Sequence, residues 1–277
     1  MNPNPSPLRS ESSAQNQRVV IRSVALPSEH GGWGFLLEPI LLGLLVAGSV
    51  SGILLAISAV GVFLIHQPLK VALKDRLKRR RPVRTIWAER FVVIYGLIAL
   101  VPFIVLLLTT DRAFLLPVAL AVPFAAVQLY FDSRNQSRRL IPEIGGALAL
   151  AMIAPAIAVL AGWQLLPALT LWLLLALRAV PSILYVRARL QLERDHPIVP
   201  LPVWMSHAAA VGVSIALSIT GAAPSSAIIA CCVLLIRSVV GLSRYRKPRP
   251  AKIIGMQELG YGLLTVILIA VGYTLIG

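Results

Sequence analysis

Apolar and polar positions fall along this chain in long blocks, runs of roughly 18 to 22 hydrophobic residues separated by short polar stretches. At 1.5 Å per residue such runs match the ~30 Å hydrocarbon core of a bilayer, so each predicts a membrane-spanning helix. Nine are read, at about 34–50, 52–73, 91–110, 113–131, 142–162, 164–187, 203–221, 224–242 and 257–276. Turn residues sit at their ends: Ser49, Ser51 and Gly52, then Gly162, then Gly221 with Pro224. The expected fold is an all-α integral membrane protein, with a nine-helix transmembrane domain over residues 27–277. Residues 1–26 are polar and rich in Pro and Ser, lack the apolar stretch of a signal peptide, and are expected to form a disordered tail.

Composition agrees: the chain is 57% hydrophobic and 13% charged, with mean hydropathy +0.82. The net charge of +15 would otherwise point to nucleic acid. Here the basic residues sit in short loops between spans and form no basic domain, so no nucleic-acid partner is expected. Their distribution has parity. The tail carries Arg9, Arg18 and Arg22, and the second-to-third loop carries nine Lys and Arg between Lys70 and Arg90. Arg134, Arg138 and Arg139 follow span four, Arg187, Arg189 and Arg194 follow span six, and five more cations follow span eight. The intervening loops hold only Arg112. The positive-inside rule then places the N-terminus in the cytoplasm and the C-terminus outside, in a bacterial inner membrane. The two cysteines, Cys231 and Cys232, are adjacent in an apolar run and form neither a disulfide framework nor a CxxC metal site.

With orientation set, position along a helix gives depth. His66 and Arg178 each lie 14 residues into inward-running spans, about 21 Å from the outer face. Arg237 and Gln128 reach similar depth, and Glu38, His207 and Glu258 enter the same leaflet from the other direction, with Glu143 opening span five. Ionisable groups cost ~2.5–3.5 kcal/mol or more at mid-bilayer, so they usually face a protein interior or a wet cavity. The expectation is a cytoplasm-facing cavity lined by Glu38, His66, Arg178, His207, Arg237 and Glu258. Snorkelling to the interface is the simpler alternative for the shallower residues.

Two spans carry cationic stripes. Arg178, Ser182, Tyr185 and Arg189 share one face of span six, and His66, Lys70 and Lys74 share one face of span two, with Gln67 beside them. Such stripes suit a phosphate or carboxylate head group, which Arg can bind bidentately. Anchoring to anionic lipid explains the lower residues equally well. The segment Glu29-His30-Gly31-Gly32-Trp33 precedes the first span. His30 could serve as an acid/base or, with His66 or His207, as a haem or metal ligand; structurally, Ser28 would cap the helix and Trp33 anchor it. No HxxxH or HExxH spacing occurs, so no metal or cofactor site is read.

The run Pro27-Ser28-Glu29-His30-Gly31-Gly32-Trp33, with Glu38-Pro39 and Gly43, resembles the YwiC-like family of bacterial membrane proteins, as does the span-six string from Leu177 to Arg189. The similarity is read over roughly residues 25 to 275, and that family implies no established activity. The layout is also similar to UbiA-type intramembrane prenyltransferases, which implies a UbiA-like helical bundle with a cytoplasm-facing cavity. In that family span two ends in Asn-Asp-x-x-Asp-x-x-x-Asp before a basic Arg-Pro loop. The matching stretch here runs His66-Gln67-Pro68-Leu69-Lys70-Val71-Ala72-Leu73-Lys74-Asp75, then Arg81-Pro82. Tyr130, Arg138 and Arg139 are similar to that family's Tyr and Lys-Arg after span four. Gln and Lys stand where carboxylates would hold Mg²⁺, and the second acidic motif is replaced by the Arg178–Arg189 string. Mg²⁺ needs oxygen ligands, so Mg-dependent prenyl transfer is disfavoured.

The expected function is binding of an anionic, lipid-linked, phosphate-bearing ligand, an isoprenoid or phospholipid phosphate, in a cationic cavity. Turnover, if any, would be that of a metal-independent lipid-modifying transferase. Candidate catalytic residues are His30, Glu38 and His66; candidate ligand-binding residues are Gln67, Lys70, Tyr130, Arg138, Arg178, Ser182, Tyr185, Arg189 and Arg237. The alternatives are a small-solute or proton-coupled transporter and a non-catalytic membrane assembly subunit.

Overall fold

The computed structural model describes residues 30–77 and 82–276; the expected tail, Ser28 and Glu29 lie outside them. All regular structure among the described residues is helical. The helices are α1 (His30–Val46), α2 (Val50–Leu77), α3 (Val83–Thr109), α4 (Leu115–Ser133, after a 3-10 turn at Arg112–Phe114), α5 (Leu140–Ala151), α6 (Ile153–Leu160), α7 (Leu165–Leu192), α8 (Leu201–Ile219), α9 (Ser226–Leu242) and α10 (Ala251–Ile276). Seven helical segments are long and apolar enough to cross a membrane, with α5 and α6 counting as one. Two of the nine expected spans, α1 and α9, are apolar helices of 17 residues each. The protein is a multi-pass membrane protein. Several helices outrun their expected spans: α2 and α7 reach 28 residues, because their last turns carry cations that extend past the apolar stretch.

Two compact units make up the chain, one taking in residues 57–105 and the other residues 30–56 and 106–277. In the first, α2 and α3 form an antiparallel hairpin. Gly61 meets Ala99 so closely that an added Cβ would lie 2.6 Å from the Ala99 amide nitrogen, and Ser58 Oγ donates to Ala99 O at 2.7 Å. Ala72 packs by Ala88 further along. The loop end is clipped by Asp75, whose buried carboxylate accepts from Arg84 Nε at 3.0 Å, Arg84 Nη2 at 2.7 Å and Thr85 Oγ1 at 2.8 Å. Asp75 is the carboxylate left in the acidic-motif stretch of α2, and its partners hold it at the hairpin end.

In the second unit α7 is the hub, packing on α1, α4, α5, α6, α8, α9 and α10. Leu42 of α1, Ala154 of α6, Leu171 and Leu175 of α7, Ala227 of α9 and Val266 of α10 form its main core. The fifth expected span is broken at Met152. Pro155 has no N–H for the Ala151 carbonyl and its ring crowds that oxygen. The chain tightens there, Met152 N donating to Ala149 O at 3.2 Å. This leaves the Leu148 carbonyl to the Trp172 indole, whose Nε1 donates to it at 3.1 Å.

Candidate functional site

Five helices of the second unit bring their ionisable residues into one buried cluster. Arg178, 3% exposed, sits in the middle of α7, and its Nη2 lies 2.8 Å from Glu38 Oε1 of α1. The same nitrogen donates to the Glu258 carbonyl of α10 at 2.9 Å. One turn on, Gly262 has no side chain to cover that carbonyl. A Cβ there would lie 2.6 Å from Arg178 Nη2 and would strike Glu38 Oε1. The glycine is a steric requirement of the ion pair.

A second guanidinium pairs with the Glu258 side chain: Arg237 Nη1 of α9 donates to Glu258 Oε2 at 2.5 Å. Arg237 Nη2 reaches Ser182 Oγ and His207 Nε2, each at 3.3 Å. His207 Nδ1 faces the Val203 carbonyl at 2.9 Å and therefore carries the ring proton, which leaves Nε2 as acceptor toward Arg237. Arg237 Cζ lies 4.2 Å from the Tyr185 ring centre and 5.1 Å from that of Tyr261, so aromatic faces also stabilise the charge. Arg178 has a weaker contact of this kind with Phe35, at 5.7 Å.

Two guanidiniums thus face two carboxylates. The cluster is charge-balanced, unlike the cationic cavity expected from the stripes. A cavity of about 100 Å³ adjoins it, lined by Glu38, Arg178, Ser182 and Glu258 and, toward its mouth, by Glu143. Gly34 and Gly255 give it room. Its lining comes from the first turns of α1, α5 and α10 and the second half of α7, so it lies at one end of this unit. Glu143 is paired at 2.9 Å with half-exposed Arg187, which also donates to the Arg138 carbonyl at 3.0 Å. Arg237 and His207 stand behind the cavity, reaching it through Glu258 and Ser182. A larger cavity of about 590 Å³, near Trp163, Thr170, Ala222 and Tyr273, is lined by no charged side chain. The chemistry lies with the smaller one.

Of the sequence candidates, the structure brings together Glu38, Arg178, Ser182, Tyr185 and Arg237, with His207 and Glu258. Arg189 is buried on the same helix but is held elsewhere: Nη1 donates to Gly241 O at 2.6 Å and Nη2 to Lys247 O at 2.5 Å, and Glu193 pairs with it at 2.8 Å. It fastens the α9–α10 connection to the end of α7. Tyr130 is exposed on α4, with Arg134 stacked 4.7 Å over its ring, and the Arg138 side chain is exposed at the α4–α5 turn. His66, Gln67 and Lys70 belong to the other unit, on successive turns of α2. His30 begins α1, and its side chain lies outside the described residues. Tyr261, Phe35, Gly34 and Gly262 were not anticipated. The available signal was spacing, since each glutamate of the two ion pairs has a glycine four residues away, Gly34 before Glu38 and Gly262 after Glu258.

No curated protein and no solved structure matches the chain. The family model described as YwiC-like protein matches residues 26–158. That stretch includes the His30–Trp33 opening and Glu38-Pro39 but ends before the Leu177–Arg189 string, so it is shorter than the likeness read over residues 25 to 275. Over residues 26–158, the part that supplies Glu38 and Glu143 to the cavity, the chain is similar to the YwiC-like family.

Proposed function

We propose that this multi-pass membrane protein binds a phosphate-bearing, lipid-linked ligand at the Arg178 cavity, reached from the cytoplasmic side. The observation that carries the reading is Arg178 itself, a guanidinium 3% exposed in the middle of a 28-residue apolar helix, bordering a cavity. Burial of that charge is costly unless it is paired, and Glu38 and the Glu258 carbonyl pair it while leaving it beside open space. Arginine there supplies the planar fork that phosphate oxygens accept. The nine-span, N-in/C-out, UbiA-like arrangement belongs to this proposal, supported by the alternation of basic and charge-free loops. Glu38 is the candidate acid/base inside the cavity. His66, Gln67 and Lys70 on α2, with Tyr130 and Arg138 at the α4–α5 turn, are proposed to attract the same class of head group at the membrane surface.

Mass spectrometry of lipids that co-purify in mild detergent tests this, comparing wild type with Arg178→Lys, which keeps the charge but loses the fork. A phosphate lipid retained by wild type and lost from the variant is the expected result. Identical bulk lipid in both removes the reading.

The three carboxylates lining the cavity also favour a second reading, proton-coupled transport. Labelling of outer-half positions from both sides of the membrane decides between them, because a one-sided cavity stays closed to the outside.

A further inference from the structure

We infer that the head group this cavity takes is zwitterionic, with a primary ammonium for Glu38 beside the phosphate for Arg178. The inference rests on the proposed phosphate-binding reading and narrows its ligand class.

Charge balance is the first observation. Glu38 faces Arg178, Glu258 faces Arg237 and Glu143 faces Arg187, so each carboxylate lining the cavity already has its cation. A bare phosphate entering this space brings negative charge with no cation left over, next to three carboxylates. A zwitterion brings none in sum, and its ammonium has carboxylates to meet.

Unsatisfied hydrogen bonding is the second, independent observation. Glu38 is buried in the cavity wall, and its Oε1 accepts no hydrogen bond among the described residues. Arg178 Nη2 lies 2.8 Å from it but off the N–H direction, so that contact is coulombic. Arg178 Nε is likewise buried with no acceptor. One acceptor and one donor are thus unsatisfied on two residues of the same cavity, and buried polar atoms of this kind require a partner. Both atoms are closed to solvent as the side chains stand, so an ammonium donating to Glu38 and a phosphate oxygen accepting from Arg178 require the two side chains to turn toward the cavity. A quaternary ammonium has no N–H to offer and meets only half of the requirement. The cavity's 100 Å³ equals about three waters at ~30 Å³ each, room for the end of a small head group and not for an acyl or prenyl chain.

The test titrates purified full-length protein with phosphatidylethanolamine, phosphatidylglycerol and phosphatidylcholine, read by native mass spectrometry. Soluble glycerophosphoethanolamine, which keeps the phosphodiester and is neutral in sum, serves as competitor. Phosphatidylethanolamine is expected to bind about 10-fold tighter than either other lipid, and Glu38→Gln to bring the three within about 3-fold. Competition by glycerophosphoethanolamine identifies a free zwitterion as sufficient; its failure identifies the lipid as the source. Gly34→Ala guards against misfolding of the Glu38 variant. Its Cβ would make ordinary contact with Glu38 Oε1 at 3.5 Å and displace only the flexible tip of Leu259, so it narrows the cavity with both ion pairs intact. It is expected to lose phosphatidylethanolamine while remaining folded. Equal binding of phosphatidylglycerol, or a preference unchanged in Glu38→Gln, overturns the zwitterionic inference. If binding of every probe is indifferent to Arg178→Lys, the phosphate reading falls with it; if phosphatidylglycerol and phosphatidylethanolamine bind equally and both respond, only the zwitterion falls.

Discussion

Arg178 Nη2 hydrogen-bonds the main chain of Glu258 at 2.9 Å, while the side chain of that same glutamate binds a different arginine, Arg237, at 2.5 Å. One residue of α10 therefore joins α7 and α9 through two of its own oxygens. The two ion pairs are not independent sites, and a change at either reaches the other through Glu258.

Removing one partner should cost far more than removing both. Arg178→Ala leaves Glu38 buried and unpaired, and a loss of about 3–5 kcal/mol is expected; Glu38→Ala leaves the guanidinium in the same position. The double variant Glu38→Ala/Arg178→Ala should lie well below the sum of the singles. Thermal unfolding of the four proteins in one detergent checks this, and strict additivity would show the pair to be uncoupled.

Gly262→Ala is expected to destabilise by about 1–3 kcal/mol, since its Cβ meets charged groups already fixed by their partners. Gly255→Ala is the matched control on the same helix. It also borders the cavity, but a Cβ there meets nothing within 4 Å. The unfolding midpoint should fall for the first substitution and hardly move for the second.

Arg189→Lys is expected to loosen residues 243–250 without altering ligand retention. Lysine keeps a charge for Glu193 but cannot span both the Gly241 and Lys247 carbonyls. Hydrogen exchange across that connection should accelerate, with co-purified lipid unchanged. Loss of the lipid instead would make Arg189 a direct ligand contact.

Asp75→Asn should open the loop end of the α2–α3 hairpin. The carboxylate accepts three hydrogen bonds, and the amide can accept on only one side while presenting an unwanted donor to Arg84. A loss of about 1.5–3 kcal/mol is expected, charge-assisted bonds being the stronger kind. Thr85→Val, which removes one neutral donor, should cost about 1 kcal/mol. Limited proteolysis between Leu77 and Val83 reports the opening directly.

Residue counts along the spans put Glu38, His66, Arg178, His207, Arg237 and Glu258 in one layer; five of these cluster in the second unit, and His66 belongs to the other. Azimuth was not readable in this way. A residue count gives height within a helix and says little about which neighbour a side chain faces, so neither the pairing of Glu38 with Arg178 nor the resulting neutrality could be foreseen. Arg189 shows the same gap: it shares a face with Arg178, yet its fork meets main-chain carbonyls of the α9–α10 connection, which periodicity cannot see. Gly262 acts through the absence of a side chain, and Tyr261 through a ring over Arg237, and neither stands out among a membrane protein's many glycines and aromatics. The break at Met152 was legible in principle, because Pro155 stands inside the fifth apolar run.

That break bears on how the chain is assembled. In water, a main-chain oxygen released by a distorted turn finds a solvent molecule; between lipid tails it finds nothing. The Leu148 oxygen is answered by Trp172, a residue that leaves the ribosome 24 positions later, on the following span. The fifth segment can therefore cross the bilayer alone only in a straighter form or with that oxygen bare. Its final bend is completed when the sixth segment arrives beside it, which makes insertion of these two stretches a joint event.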